Sequence, residues 1–411
     1  MTTMKAEGDA ALADSAYAWL RLWLAVAIST IGAIGMWCVV VALPAIQADF
    51  GVARADASLP YTLTMVGFGF GGIAMGRLAD RHGVFLPLVL GTVLLSLGFA
   101  LASLAPTLPV FAVVQGLLIG AGSSATFSPL IAHVSLWFAR RRGIAVAIVA
   151  SGNYLAGTIW PPVVQHFVAT HGWRSTYLWI AGFCLLTMLP LAWSLRTRHV
   201  PPAAAPPVAS GKARTGSVDL PQRTVMALLL VAGFACCVAM AMPQVHIVAY
   251  CADLGYGPAR GAQMLSLMLA CGVVSRIGFG WISDRIGGLR TLMLGSGLQG
   301  LALLLFLPFD GLVSLYLVSA LFGLFQGGIV PSYAIIIREV FPASEAGARV
   351  GAVIMVTLFG MALGGWMSGV IFDFTGSYHA AFIHGIAWNA LNLAIAYRLL
   401  RGRRVPAAAA A

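Results

Sequence analysis

Only 9% of this chain's 411 residues are charged, so few side chains can do chemistry, and Arg276 is the hardest of them to explain by packing. It stands about fourteen residues into the apolar run 262–282, roughly 10–12 Å of helix rise from Asp284. Placing an arginine at such depth costs at least ~2.5–3.5 kcal/mol. No Asp or Glu falls inside any apolar run: Asp80, Asp284, Asp310, Glu339 and Asp373 all lie at ends or in loops. Gly272 and Gly280, four residues to either side, clear space along its helical face. A guanidinium with room around it and no internal carboxylate suits a planar carboxylate arriving as ligand. The competing reading is an arginine that snorkels to the membrane face or bonds helix carbonyls.

His246 lies midway through the run 224–250, just after Pro243 and Gln244. An imidazole there can hydrogen-bond a ligand or exchange a proton. It can equally serve as a helix–helix hydrogen bond. His133, in the run 108–137, has the same two readings.

The elements that must position these groups are apolar throughout. Hydrophobic residues make up 60% of the chain and the mean hydropathy is +0.91. A soluble domain carries roughly 25% charged residues, so this chain cannot cover a water-facing surface. About twelve runs approach the ~20 residues that a spanning helix needs: 22–47, 58–79, 84–104, 108–137, 143–168, 174–195, 224–250, 262–282, 289–308, 311–337, 348–372 and 379–398. Runs this long without alternation predict helices rather than strands.

The net charge of +11 is explained by its distribution. With the N-terminus placed in the cytoplasm, 20 of the 24 Lys and Arg fall on the inner side. Only Arg54, Arg174 and Arg260 fall outside, and Arg276 is left within a span. That asymmetry follows the positive-inside rule and predicts both termini inside an inner (plasma) membrane. Nucleic-acid binding would require a clustered basic face with interleaved aromatics, which is absent. The six cysteines lack metal-site spacing and read as small buried hydrophobes. No metal or cofactor is expected. Glu7, Asp9 and Asp14 precede a first run too long for a cleavable signal.

The octapeptide Gly76–Gly83 (GRLADRHG) returns as Gly280–Gly287 (GWISDRIG), 204 residues later. A duplicated turn between apolar spans implies two parallel halves. The predicted organisation is a cytoplasmic segment 1–21, a six-helix bundle 22–195, a Pro-rich linker 196–223, a second bundle 224–398 and a tail 399–411. Its fold class is an all-α membrane protein, two six-helix bundles about a central cavity. Gly67-Phe68-Gly69-Phe70-Gly71-Gly72 lacks the βαβ context of a dinucleotide loop and reads as close helix packing. Gly211-Lys212 lacks the rest of a Walker motif.

These motifs, together with Trp137-Phe138-Ala139-Arg140-Arg141-Arg142-Gly143, His246–Tyr250 and Ser275-Arg276-Ile277-Gly278-Phe279-Gly280, resemble a major facilitator superfamily transporter from Arg21 to Arg398. Within it the resemblance is to the monocarboxylate/oxalate-formate porters. The resemblance implies a monomeric secondary transporter of a small organic anion, in contact with membrane lipid and able to use protons. It implies that Arg276 binds the substrate carboxylate and that His246 faces a cavity lined by helices one, four, seven and ten. Tyr333, Gln326, Asn153, Tyr154 and Trp37 would complete that lining. It also implies a gating latch of Gly76, Asp80, Arg81 and Gly83, echoed by Gly280, Asp284, Arg285 and Gly287. In that reading the glycines permit close helix approach, Gly83 allows a tight turn, and Asp80 accepts hydrogen bonds from neighbouring helix N-termini.

The chain departs from the family where it lacks the arginine three places before Gln115, a span-one lysine, and an aspartate at Gly272. No membrane carboxylate is available for proton coupling, so His246 or the substrate's own acid group must carry any proton. The rival readings are an exporter of amphipathic compounds or an importer of a neutral metabolite, with Arg276 structural, and a non-transporting sensor.

Overall fold

A computed structural model describes residues 14–138, 140–196 and 220–402. The terminal segments 1–13 and 403–411, and linker residues 197–219, lie outside the described residues. The described parts of Met1–Val52 and Leu59–Ser210 form one compact unit, and those of Ala53–Ser58 and Gly211–Ala411 form another.

The first unit contains α1 (Ala16–Gly32), α2 (Ile34–Phe50), most of α3 (Arg54–His82), α4 (Phe85–Ser103) and α5 (Leu108–Val114). A π-helical turn, Gln115–Gly120, follows, then α6 (Ala121–Ser124), α7 (Ser128–Trp137), α8 (Arg142–Ala150) and α9 (Gly152–Ser194). The second unit contains α10 (Gln222–Asp253), α11 (Pro258–Ile286), α12 (Gly288–Leu305), α13 (Leu312–Gln326), α14 (Ile329–Val340), α15 (Ala343–Thr375) and α16 (Tyr378–Arg401). Every apolar run read from the sequence falls on these helices. Among the described residues, ten helical stretches are long and apolar enough to cross a membrane. One of them, Arg142–Ser194, has 53 residues and breaks at Gly172 (φ 79°), giving two crossings. The 29-residue α3, outside those ten, supplies another. Large apolar side chains on the outer faces, such as Leu186, Val313 and Ile277, are two-thirds or more exposed, as lipid contact allows.

A glycine pair repeated in both units holds the helices together. Gly116 and Gly120 lie four apart, as do Gly323 and Gly327. A Cβ on Gly116 would meet Leu63 Cβ at 2.7 Å, and one on Gly120 would meet Thr64 O at 2.6 Å. In the second unit a Cβ on Gly323 would strike Met268 O, and one on Gly327 would lie 2.5 Å from Gly272 O. Two backbones touch at each crossing, so only glycine fits. The sequence reading missed this duplication, although the four-residue glycine spacing was its signal. Gly67 and Gly71 belong to the same packing: their Cβ atoms would strike Gly116 O and lie 2.7 Å from Ala121 Cα. The glycine-rich stretch of α3 is a helix contact, as its lack of βαβ context predicts.

Two expectations for the repeated octapeptide need correction. A Cβ on Gly76 or Gly280 meets nothing within 4 Å, so neither glycine allows a close helix approach in this conformation. The glycines that the backbone requires are the last in each copy, Gly83 (φ 80°) and Gly287 (φ 81°). Each donates its N–H to the carbonyl four residues back, Ala79 at 2.8 Å and Ser283 at 2.9 Å, closing α3 and α11 in the same way. Asp80 is exposed and, among the described residues, accepts no hydrogen bond. In the second copy the first N–H of α12 is capped instead by Glu339, from the end of α14, at 2.9 Å. Glu339 does there what the sequence reading assigned to the aspartate of the motif.

Candidate functional site

Arg276 lies on α11 at the border of two helix faces. Gly272, Ser275 and Phe279 are buried on one side, while Val274, Ile277 and Trp281 are exposed on the other; Arg276 itself is half-buried. Gly280 leaves open space one turn on, whereas Gly272 is taken up by the crossing with Gly327. The room along its face therefore extends towards Gly280 only.

The other proposed lining residues are distributed between the units. In the first, the Trp37 ring N–H donates to the carbonyl of Asn153 at 3.2 Å, so these two residues are joined. The Asn153 side-chain oxygen is buried with no partner among the described residues. Tyr154, next in sequence, is half-buried. His133 is occupied elsewhere: its Nε2 accepts the Arg21 Nε at 3.3 Å, and that buried guanidinium also bonds Leu195 O and lies 4.4 Å over the Trp137 ring.

In the second unit Gln244 and Gln326 form a buried amide pair, 2.7 Å from Nε2 to Oε1. Gln326 Nε2 has no partner among the described residues. Whichever way the two amides turn, one such bond leaves a donor group in excess. Tyr333 is directed into a separate network. Its hydroxyl donates to Asn392 Oδ1 at 2.8 Å, and Asn392 in turn donates to Ser296 Oγ at 2.8 Å. His246 is fully buried with both ring nitrogens engaged: Nε2 lies 2.7 Å from Gly365 O and Nδ1 3.2 Å from the Tyr378 hydroxyl. In this conformation His246 and Tyr333 bond neighbouring helices rather than open space.

A further charged cluster was not anticipated. Arg54, placed in an outer loop by the charge count, is 7% exposed. Its guanidinium donates to Tyr378 Oη at 2.7 Å and to Asp253 Oδ1 at 3.1 Å, and lies 4.8 Å over the Phe372 ring. Asp373 accepts the backbone N–H groups of Arg54 at 2.9 Å and Ala55 at 2.7 Å, capping α3. The signal in the sequence was scarcity: Arg54 is one of only three cations that the charge count places outside, and the same count puts the span ends at Asp253 and Asp373 on that side. The other two cations of that count are also held, Arg174 by Asp49 at 3.0 Å and Arg260 by Gln263 at 3.2 Å. Among the described residues no group of three or more His, Cys, Asp or Glu could hold a metal ion.

This architecture can be set beside known proteins. The chain is 29% identical over 320 residues to monocarboxylate transporter 13 of Bos taurus, covering 76% of this chain and 73% of that one. It is 28% identical over 289 residues to the MFS-type transporter opdF of Penicillium oxalicum, covering 69% and 66% respectively. Among solved structures it resembles an inward-facing, occupied bacterial homologue of the human lysosomal transporter Spinster, with TM-score 0.76 and 14% identity over 96% of this chain and all of that one. The nucleoside transporter NupG gives a TM-score of 0.71 at 14% identity, over 93% of this chain and all of that one. At such identities the structural likeness concerns the fold alone. The sequence model of the Major Facilitator Superfamily matches residues 25–315 and 279–411, and the chain belongs to that superfamily of membrane transporters.

Proposed function

We propose that the chain is a secondary active transporter of a small, monocarboxylate-like organic anion, working by alternating access. The observation that carries the reading is Arg276, a half-buried guanidinium inside a membrane helix of a chain similar to monocarboxylate transporters. In the proposed site Arg276 holds the carboxylate through paired N–H bonds. The spare donor of the Gln244–Gln326 pair, in the same unit as Arg276, supplies a candidate contact for a hydroxyl or keto group, and Asn153 belongs to the proposed set from the first unit. A buried amide group left unbonded costs about 1–3 kcal/mol, and a substrate oxygen reaching it recovers much of that. Trp37, Tyr154, Tyr333 and His246 complete the proposed set as other conformations expose them. The positive-inside pattern supports an inner-membrane location with both termini cytoplasmic, and the chain is proposed to act as a monomer.

The test is uptake of labelled lactate, pyruvate, short-chain acids and neutral analogues into proteoliposomes, with and without an imposed pH gradient. Acids taken up in preference to their neutral analogues support the reading. Preferential uptake of neutral or amphipathic solutes would overturn it.

The repeated turn is proposed to gate transport. Asp80→Asn should slow uptake about tenfold at saturating substrate while leaving substrate binding, measured by equilibrium dialysis, unchanged; a tenfold change corresponds to about 1.4 kcal/mol. Wild-type uptake by Asp80→Asn would remove Asp80 from the gate. The same substitution at Asp284 probes the second copy.

A further inference from the structure

The hydrogen bonds from Arg54 to His246 have a direction fixed at both ends. A guanidinium can only donate and a carbonyl can only accept. Arg54 Nη1 therefore donates to the Tyr378 oxygen at 2.7 Å, and His246 Nε2–H donates to Gly365 O at 2.7 Å. With Nε2 carrying its hydrogen, the neutral ring presents a lone pair at Nδ1, which receives the Tyr378 hydroxyl proton at 3.2 Å. The chain reads Arg54 to Tyr378 to His246 to Gly365, with one proton per link.

We propose that proton binding at His246 and the seating of Ala53–Ser58 against the rest of the second unit exclude one another, making this seat a proton-operated latch. A proton added at Nδ1 turns the imidazole into a donor at both nitrogens. The Tyr378 oxygen would then face two cations, Arg54 and the imidazolium, separated by a single hydroxyl. Among the described residues, no other group around the ring is hydrogen-bonded to it. From α10 come Tyr250 and Asp253, from α15 Asp373 and from α16 Tyr378, with Asp310 and Tyr256 close enough to influence Tyr250. The nearby carboxylates direct their oxygens elsewhere, Asp253 to Arg54 and Asp373 to the amides of Arg54 and Ala55, so neither takes over as acceptor for an Nδ1–H. In this latch Arg54 leaves as His246 takes up the proton, and the α3 N-terminus leaves with it. The seat is shaped for its occupant: a Cβ on Gly369 would lie 2.9 Å from Ala55 Cα and 3.0 Å from Arg54 O. The geometry stands without the choice of substrate; only its consequence, proton-linked transport, rests on the proposed function.

Hydrogen–deuterium exchange of the 50–60 segment in the purified full-length protein, without substrate, reads the latch directly. After correction for intrinsic exchange, the Arg54 and Ala55 amides should lose about tenfold in protection between pH 8 and pH 5.5. Asp373→Ala, which removes both acceptor oxygens, should remove protection at every pH, confirming that these amides report the seat. His246→Gln keeps a donor and an acceptor but takes no proton, and should hold its protection across the range. Tyr378→Phe, which cuts the chain but leaves both aspartates, should flatten the profile as well. Unchanged wild-type protection across the range would overturn the proposal. So would a His246→Gln profile superimposing on wild type; if that variant does not fold, a superimposing Tyr378→Phe profile decides in the same way. Because no substrate is present, an absence of acid uptake in proteoliposomes would sink the anion reading without touching this one.

Discussion

Arg276→Lys should lower kcat/KM for the favoured acid about 10- to 100-fold, mainly through KM, and Arg276→Ala should lower it about a thousandfold. Hydrogen bonds to charged groups contribute about 1.5–3 kcal/mol each, and each ~1.4 kcal/mol is a factor of ten. Lysine keeps the charge but not the planar fork, so it loses one of two parallel bonds. Alanine loses both, together with the attraction. Initial-rate uptake in proteoliposomes, at matched incorporation of each variant, measures the effect. A structural Arg276 has a different signature: Lys and Ala would lower the melting temperature and reduce the uptake of every solute alike. Equal uptake by wild type and Arg276→Ala would remove the residue from the substrate site.

The second large effect concerns stability. Gly67→Val and Gly323→Val should each lower the Tm of their own unit by roughly 6–12 °C, taking about 3 kcal/mol at 2–4 °C per kcal/mol for a unit of roughly 200 residues. The loss sits at the upper end of ordinary overpacking because the new Cβ meets backbone: Gly116 O in one case, Met268 O in the other. A carbonyl inside a helix cannot rotate away as a side-chain tip can, so the helices themselves must part. Gly76→Ala and Gly280→Ala are the controls, since their Cβ atoms meet nothing within 4 Å and their Tm should stay near wild type. Thermal unfolding in detergent, followed by size-exclusion chromatography, compares all four. Tm losses at Gly76 or Gly280 equal to those at Gly67 and Gly323 would show that the two classes of glycine do not differ.

These two predictions divide along the line between sequence and structure. Arg276 was legible because it breaks a rule: a charge inside an apolar run is costly wherever the helix packs. The helices were legible for a related reason, since lipid offers no partner for a backbone N–H and runs of this length have one way to satisfy it. The octapeptide revealed the duplication and, through Gly83 and Gly287, the two positive-φ turns that close α3 and α11.

The partners of the polar groups were not legible. Whether a buried tyrosine or histidine lines a space or bonds a neighbour depends on helix rotation by tens of degrees, and apolar residues on every face erase the periodic signal that would fix it. Tyr333 finds Asn392 on α16, His246 finds Tyr378 and Gly365, and Gln326 finds Gln244. The helix-capping role read into Asp80 is filled in the second unit by Glu339, 51 residues from the amide it caps. Hydrophobicity, charge placement and glycine turns are local and one-dimensional, so the amino-acid order alone reveals a duplicated, helical membrane chain with one exceptional arginine. Which charges meet depends on three-dimensional packing. Arg54, Asp253, Asp373, Tyr378 and His246 come from four helices separated by up to 324 residues, and nothing but packing brings them within a hydrogen bond of one another.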